Sequence, residues 1–283
     1  MKPISELIEF CIINLDKPSG PTSHDAVEKI KRIFNARKAG HFGTLDPLVT
    51  GVLPIALNRA CKLSNYFMKK DKQYVGKMLL HKDISEQELK IEMDKFIGKI
   101  MQKPPIKSRV KRVLRERNIN KFKIINKIKR VVEFESDVQA GTYIRKLCSD
   151  LGERIGGAHM IELRRVRAGI FKIDKSYTLE EIEKAFKAYK KGDEKPLREI
   201  LIPAEIIQQI ITKTDVKKEV VRELLNGKPL MKKDLENEKK IPNSELISVF
   251  CKDKFIGIYK TITSSSSEDE NSKIVAKPEF VKN

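Results

Sequence analysis

GHFGTLDPLVTG, residues 40–51, is the stretch on which the reading of this chain turns. Gly40, Gly43 and Gly51 surround one carboxylate, Asp46. Glycine reaches backbone conformations that other residues avoid. Asp46 stands directly before Pro47, and a proline ring disfavours helical backbone at the residue that precedes it. The segment is therefore a tightly punctuated loop that presents a single acid. An Asp-Pro pair alone is an ordinary turn, so the flanking sequence must decide what the acid does.

Upstream, CIINLDKPSGPTS (11–23) reads as an apolar strand running into a Pro/Gly/Ser loop. Residues 25–35 read as a helix. Ala26, Val27, Ile30, Ile33 and Phe34 lie on one face, Lys29, Lys31 and Arg32 on the other, and Ser23 serves as N-cap. Downstream, KQYVGKMLLH (72–81) reads as a strand, and Ser85 with Glu88 opens a helix as a capping box. IKRVVEFESDV (128–138) alternates like a strand, whereas KPPIKSRVKRVLRERNINK (103–121) is a basic, proline-started segment. Residues 140–157 contain a helix with an apolar stripe of Ile144, Cys148, Leu151 and Ile155. HMIELRRVRAGIF (159–171) is a strand crowded with arginines, and Thr178 with Glu181 caps another helix. KGDEKPL (191–197) reads as a linker. Beyond it come a helix over 216–227 and strands SVFCKD, KFIGIYKTIT and KIVAKPEFV. SSSSEDEN (264–271) fits either disorder or a long hairpin loop.

Charge narrows the function. Among 283 residues, 58 Lys and Arg face 39 Asp and Glu, a net charge of +19. The basic residues are spread along the chain, which favours a broad face for a polyanion, with nucleic acid the default partner. No apolar run approaches the ~20 residues that span a bilayer, and the N-terminus lacks signal-peptide architecture; a cytoplasmic protein without membrane contact is expected. Cys11, Cys61, Cys148 and Cys251 are scattered, and His24, His41, His81 and His159 form no metal-type pair. Neither a metal site nor a cofactor is expected.

Taken in order, DKPSGPTS, GHFGTLDPLVTGVLPIAL, KQYVGKMLLH and GTYIRKLCSDLG resemble the TruB/dyskerin family of pseudouridine synthases. PPIKSRVKR (104–112) and GAHMIELRRVRAG (157–169) resemble its archaeal and eukaryotic dyskerin branch. The resemblance implies an α+β catalytic domain over 11–203 with a mixed, mainly antiparallel sheet. LLNGKPL (224–230) and IVAKPEFV (274–281) resemble a PUA domain, which implies a small RNA-binding β-barrel over 215–283. By the same resemblance Asp46 is the essential aspartate, Tyr74 the tyrosine that packs on the target base, and Arg145 the arginine that pairs with the aspartate. His41 lies on the RNA-facing side of the loop, with Gly43 and Thr44 beside it, and Lys17 and Pro18 belong to a motif bracing it; His41, Lys17, Gly43 and Thr44 are expected to contact the RNA substrate. Arg164, Arg165 and Arg167 read either as a solvated face or as phosphate contacts, and phosphate contact is preferred.

The implied partners are tRNA, rRNA, an H/ACA guide RNA and the small proteins of that particle, with the chain a monomer within it. The reaction breaks the uridine N1–C1′ bond, turns the uracil and rejoins it through C5, which needs no redox or energy input. Such a base must leave its stack. A carboxylate then attacks C1′ or takes a sugar proton, and an aromatic ring holds the freed uracil. Stand-alone modification of the tRNA T-loop uridine is a close alternative. A non-catalytic RNA-binding scaffold is a third, disfavoured by the joint presence of Asp46, Tyr74 and Arg145.

Overall fold

The computed structural model describes residues 2–104, 111–237, 245–262 and 274–283. Most of PPIKSRVKR and all of SSSSEDEN lie outside the described residues. Two compact units divide the chain, Met1–Ile202 and Pro203–Asn283.

The first unit is built on one large sheet. In chain order its elements are α1 (Ile4–Glu9), β1 (Cys11–Lys17), α2 (Ser23–Ile33), β2 (Ala39–His41), β3 (Thr50–Leu57), α3 (Ser64–Met68), β4 (Lys72–Leu80), α4 (Glu86–Asp94) and β5 (Gly98–Gln102). There follow β6 (Arg115–Ile128), β7 (Val131–Val138), α5 (Ile144–Ile155), β8 (Ala158–Ala168), β9 (Phe171–Lys172), α6 (Leu179–Lys190), α7 (Lys195–Ile200) and β10 (Leu201–Pro203). Among the described residues the strand order is β10-β1-β3-β8-β4-β7-β6-β5, with β2 beside β3 and β9 beside β8. β3 and β8 run parallel, whereas β1–β3, β4–β8, β4–β7, β6–β7 and β5–β6 are antiparallel. This is the mixed, mainly antiparallel α+β sheet that the family resemblance implies.

Side-chain periodicity explains which strands lie where. Along β4, Lys72, Tyr74, Gly76, Met78 and Leu80 are buried and the residues between them are not, the alternation of a sheet with one covered face. β3 is buried from Gly51 to Leu57, as befits a central strand covered on both faces. Helix α5 lays Ile144, Leu147, Cys148 and Leu151 into the core and packs on β8 so closely that a Cβ on Gly152 would sit 2.4 Å from the Ala158 nitrogen. Only glycine fits there.

Several expectations change. The strand expected over 128–138 starts three residues later, as β7 at Val131, because Ile128 ends β6 and Lys129, at φ 52, lies in the turn between the two. The basic stretch before it is a 14-residue strand. KGDEKPL is not a linker: Lys195–Ile200 is a helix with Leu197 and Ile200 in the core of the first unit. Leu197 and Ile200 lie close enough in sequence to share one helix face and bury together. The second compact unit starts at Pro203.

In that unit β11 (Thr212–Asp215), α8 (Val221–Leu225), β12 (Leu230–Met231), β13 (Leu246–Cys251), β14 (Lys254–Thr261) and β15 (Ile274–Val281) surround a core of Val216, Leu224, Leu230, Ile247, Val249, Ile256, Tyr259 and Ala276. The strand order is β11-β13-β14-β15-β12. The helix expected over 216–227 is cut to a short 3₁₀ turn and the five residues of α8. Tyr259 is fully buried; its hydroxyl donates to the Leu224 carbonyl at 3.1 Å, and burial pushes its pKa up to about 12.

Candidate active site

The loop between β2 and β3 carries Asp46 on a tight turn, closed by the Val49 N–H donating to the Asp46 carbonyl at 3.0 Å. Pro47, with its fixed φ, takes the second position of this turn. Leu45 and Val49 are buried on either side, while Thr44, Asp46, Pro47 and Leu48 face solvent.

Donors from distant segments hold the loop's backbone. Lys17, the last residue of β1, is fully buried, and its ammonium donates to the carbonyls of Pro18 (2.6 Å), Pro21 (2.8 Å) and Pro47 (2.9 Å). Burial lowers its pKa from the usual lysine range. The Gly20 N–H reaches the same Pro47 oxygen at 3.0 Å. Ser23 accepts from the Leu45 N–H at 2.8 Å and donates to the Leu45 carbonyl at 2.9 Å. Ser23 is thus not the N-cap of α2. Thr22 takes that place, in a reciprocal box with Asp25, which frees Ser23 to clamp the loop.

From the other side Arg165, 1 % exposed, donates through Nε to Val52 (2.7 Å) and through Nη2 to Gly43 (3.0 Å). A phosphate contact for Arg165 is therefore corrected: β8 points this side chain inward, where backbone carbonyls take up its donors. An RNA contact for Lys17 is corrected in the same way, since its ammonium is taken up by three backbone carbonyls. Gly51 pairs with Arg165 across the parallel β3–β8 step. Its φ is +102, and a Cβ there would lie 2.2 Å from the Arg165 carbonyl oxygen, so glycine is required at the point where the loop enters β3.

Arg145 meets Asp46 through an ion pair between Nη2 and Oδ2, both side chains about half exposed (52 % and 54 %). Arg145 stands in the first turn of α5, where the helix dipole disfavours a cation, so its partner must come from outside the helix. The start of α5 is held by Gln102 at the end of β5: its side chain accepts from the Tyr143 N–H (2.8 Å) and donates to the Tyr143 carbonyl (3.1 Å).

Tyr74 lies in register with Arg165 on β8, two strands over from Gly51, and is 8 % exposed in the same apolar cluster as Leu45 and Val49. His41 is half-buried at the end of β2 and accepts the Gly43 N–H through Nδ1 at 3.3 Å. Burial, then the neighbouring Arg165 charge, lowers its pKa, which suits a neutral accepting ring. Arg164 pairs with Asp16 (2.6 Å) on the wall of a cleft of about 420 Å³, and Arg167 pairs with Asp137 (2.6 Å). The β4–β8 register brings His81 Nε2 and His159 Nδ1 to hydrogen-bond distance, 2.8 Å. Among the described residues no group of three or more His, Cys, Asp or Glu gathers as a metal site.

Sequence reasoning passed over Lys72. It is buried beneath the loop, with its ammonium donating to the carbonyls of Met68 (2.5 Å) and Lys70 (2.6 Å), and its chain lies near Gly43. Burial, then repulsion from Arg165, brings its pKa down to about 8, with Asp71 opposing. Above pH 8 the folded protein sheds this proton while the unfolded chain keeps it to about 10.5. The unfolded state then binds more protons, so stability from this residue rises with pH across that window. Wild type should gain on the order of 2 kcal/mol over Lys72→Met between pH 7 and 10, read by denaturant titration. A constant difference between the two proteins would refute a depressed lysine.

Family models match in sequence order. The DKCLD (NUC011) domain matches residues 1–27, the TruB family pseudouridylate synthase N-terminal domain 31–144, and the tRNA pseudouridylate synthase B C-terminal domain 145–209. A probable tRNA pseudouridine synthase B of Pyrococcus abyssi is 39 % identical over 280 residues, 97 % of this chain and 84 % of that one.

The chain belongs to the TruB family of pseudouridylate synthases.

Its activity is therefore that of a pseudouridine synthase, an isomerase acting on RNA. The probable tRNA pseudouridine synthase B of Methanopyrus kandleri is 43 % identical over 252 residues, 88 % of this chain and 75 % of that one. Among solved structures, the crystal structure of a Cbf5-Nop10-Gar1 complex superposes with a TM-score of 0.89 at 38 % identity, covering 99 % of this chain and 87 % of that one. An H/ACA RNP bound to a substrate RNA containing 2′-deoxyuridine follows at 0.87 and 36 % identity, with the same coverages. This TruB-family likeness spans both compact units. Among the described residues no helix is long and apolar enough to cross a membrane.

Proposed function

We propose that this pseudouridine synthase is the catalytic subunit of an archaeal-type H/ACA guide-RNA particle, with the T-loop uridine of tRNA as a second substrate. The reading rests on one observation above all: the likeness to the solved Cbf5 chain, seen with Nop10 and Gar1, extends over 99 % of this chain. The chain's relatives named tRNA pseudouridine synthase B support the second substrate. The five-stranded sheet of the second unit supports a PUA-like module that grips RNA. The partners are guide RNA, the target tRNA or rRNA, and small particle proteins, and the compartment is the cytoplasm.

In this reading the target uridine is extruded into the space in front of the β2–β3 loop. Asp46 acts on its sugar, by attack at C1′ or by taking a sugar proton. Arg145, bound to Asp46 on its solvent side, aims the carboxylate and balances its charge. Tyr74 offers its ring to the detached uracil while it turns. Lys17, Ser23 and Arg165 hold the loop backbone and touch no RNA. Arg164 and Arg167, with partly exposed guanidinium groups, remain for phosphate.

The test incubates the purified protein with a tRNA transcript and with an rRNA fragment, each with and without guide RNA and the small partner proteins, followed by pseudouridine mapping. Modification of the rRNA fragment only when guide RNA is present is the expected result, beside guide-free modification of tRNA. Guide-independent modification of the rRNA fragment would sink the particle assignment. An unmodified tRNA would remove the second substrate.

A further inference from the structure

Arg145 must meet Asp46 at one place, yet its own helix does little to put it there. It lies in the first turn of α5, where N–H groups have no partner inside the helix and the dipole disfavours a cation. That turn contains no acidic residue, and the N-cap, Tyr143, makes no side-chain cap hydrogen bond. Both partners of the ion pair are about half exposed. Water competes for each of them, so the pair depends on the backbone that carries Arg145. Ile144, Leu147, Cys148 and Leu151 anchor the body of the helix in the core. The main chain at Tyr143, where the helix joins the preceding turn, is fixed from another strand.

That strand is β5, and the residue is Gln102 at its end, 3 % exposed and paired with Arg115 of β6. Its side-chain amide accepts the Tyr143 N–H at 2.8 Å and donates to the Tyr143 carbonyl at 3.1 Å. One planar group takes both polar atoms of one residue, as a neighbouring strand would, and so fixes the place and the direction of the backbone. A glutamate there has no amide donor for the carbonyl, and a methionine brings neither donor nor acceptor.

We propose that Gln102 is a positioning residue of the isomerisation: its hold on Tyr143 sets where Arg145 meets Asp46, and turnover depends on that hold. The inference rests on the roles given to Asp46 and Arg145 and deepens them. Gln102 is buried and acts through Arg145, not on the RNA. A small displacement of an aiming group, caused far from the chemistry, lowers the rate steeply.

The experiment makes Gln102→Met and Gln102→Glu in the full chain, each alone and together with Arg145→Ala. It measures single-turnover pseudouridine formation, RNA affinity and denaturant unfolding on the RNA that wild type modifies. Gln102→Met should slow product formation by about 10- to 100-fold and leave RNA affinity within about twofold of wild type. Gln102→Glu, which keeps an acceptor for the Tyr143 N–H and lacks the donor, should fall between. In the Arg145→Ala background both substitutions should slow turnover by about twofold or less, because the group they position is gone. A residue that served only the fold would slow turnover by the same factor in either background.

Equal factors in the two backgrounds would therefore overturn the proposal. So would wild-type turnover from Gln102→Met beside a slow Arg145→Ala, or a loss of RNA affinity that matches the loss of rate. If Gln102→Met does not fold, Gln102→Glu decides by the same comparison. Wild-type turnover from Arg145→Ala would instead remove the reading of Arg145, and the proposal with it.

Discussion

Asp46→Asn abolishes pseudouridine formation, by on the order of 10⁴-fold or more, and leaves RNA binding nearly intact. The amide is close to isosteric with the carboxylate, and the turn that carries it is closed by backbone groups, with Val49 N–H on the Asp46 carbonyl. What disappears is the negative charge, and with it the capacity to attack C1′ or to take a sugar proton. Arg145→Ala damages turnover too, because Asp46 then loses the ion pair that aims it. The two residues act as a unit, so the double variant should be hardly worse than Asp46→Asn alone. Single-turnover product formation, measured beside filter binding for all four proteins, settles the matter. Near-normal product from Asp46→Asn would remove Asp46 from the chemistry. Loss of binding together with product would reassign the loop to RNA docking.

Arg165→Met is the second large effect, and it falls on stability. The guanidinium is 1 % exposed and donates to the Val52 and Gly43 carbonyls. Methionine fills part of the volume but takes away the donors that serve the Val52 and Gly43 carbonyls, each lost partner costing about 1–3 kcal/mol, so a loss of about 3 kcal/mol in denaturant unfolding is expected. Turnover should fall as well, since Gly43 lies in the catalytic loop. The salt dependence of RNA affinity separates this role from a phosphate contact. Removing one phosphate contact reduces the slope of log K against log salt by about 1. Arg165→Met should leave that slope where wild type has it, while Arg164→Met, at a half-exposed position on the cleft wall, should lower it. A slope change in Arg165→Met with unaltered stability would restore the phosphate reading.

Much of this arrangement is visible along the chain, and the reason is local. β4 alternates residue by residue, α5 carries its stripe at helical spacing, and GTLDP presents one acid among glycines; each signal lies within a few residues of itself. The long strand Arg115–Ile128 is not visible in that way, because it is rich in Lys and Asn and only Ile119 and Phe122 are buried along it. α7 escapes notice for a similar reason, being six residues with two anchors in the core. The supports of the Asp46 loop and of the start of α5 are hidden for a different one. Ser23 acts over 22 residues, Gln102 over 41 and Arg165 over 122, and in each case the partner is a backbone group. A backbone amide or carbonyl has no letter in the sequence, so nothing at the receiving end marks the contact. The residue types at the giving end mislead as well: an arginine in a basic strand suggests RNA, and a serine before a helix suggests a cap.

The main chain of the turn that carries Asp46 is thus held largely from outside the turn. Lys17, Ser23 and Arg165 reach its main chain, whereas the outward side chains of Thr44 and Leu48 take no part in holding it. Positions 44 and 48 can therefore drift, or be randomised in a library, without displacing the carboxylate between them. Substrate preference and the placing of the carboxylate are separately heritable here: changes at positions 44 and 48 bear on which RNA is welcomed, whereas changes at Lys17, Ser23 or Arg165, far away in the chain, bear on how Asp46 is held.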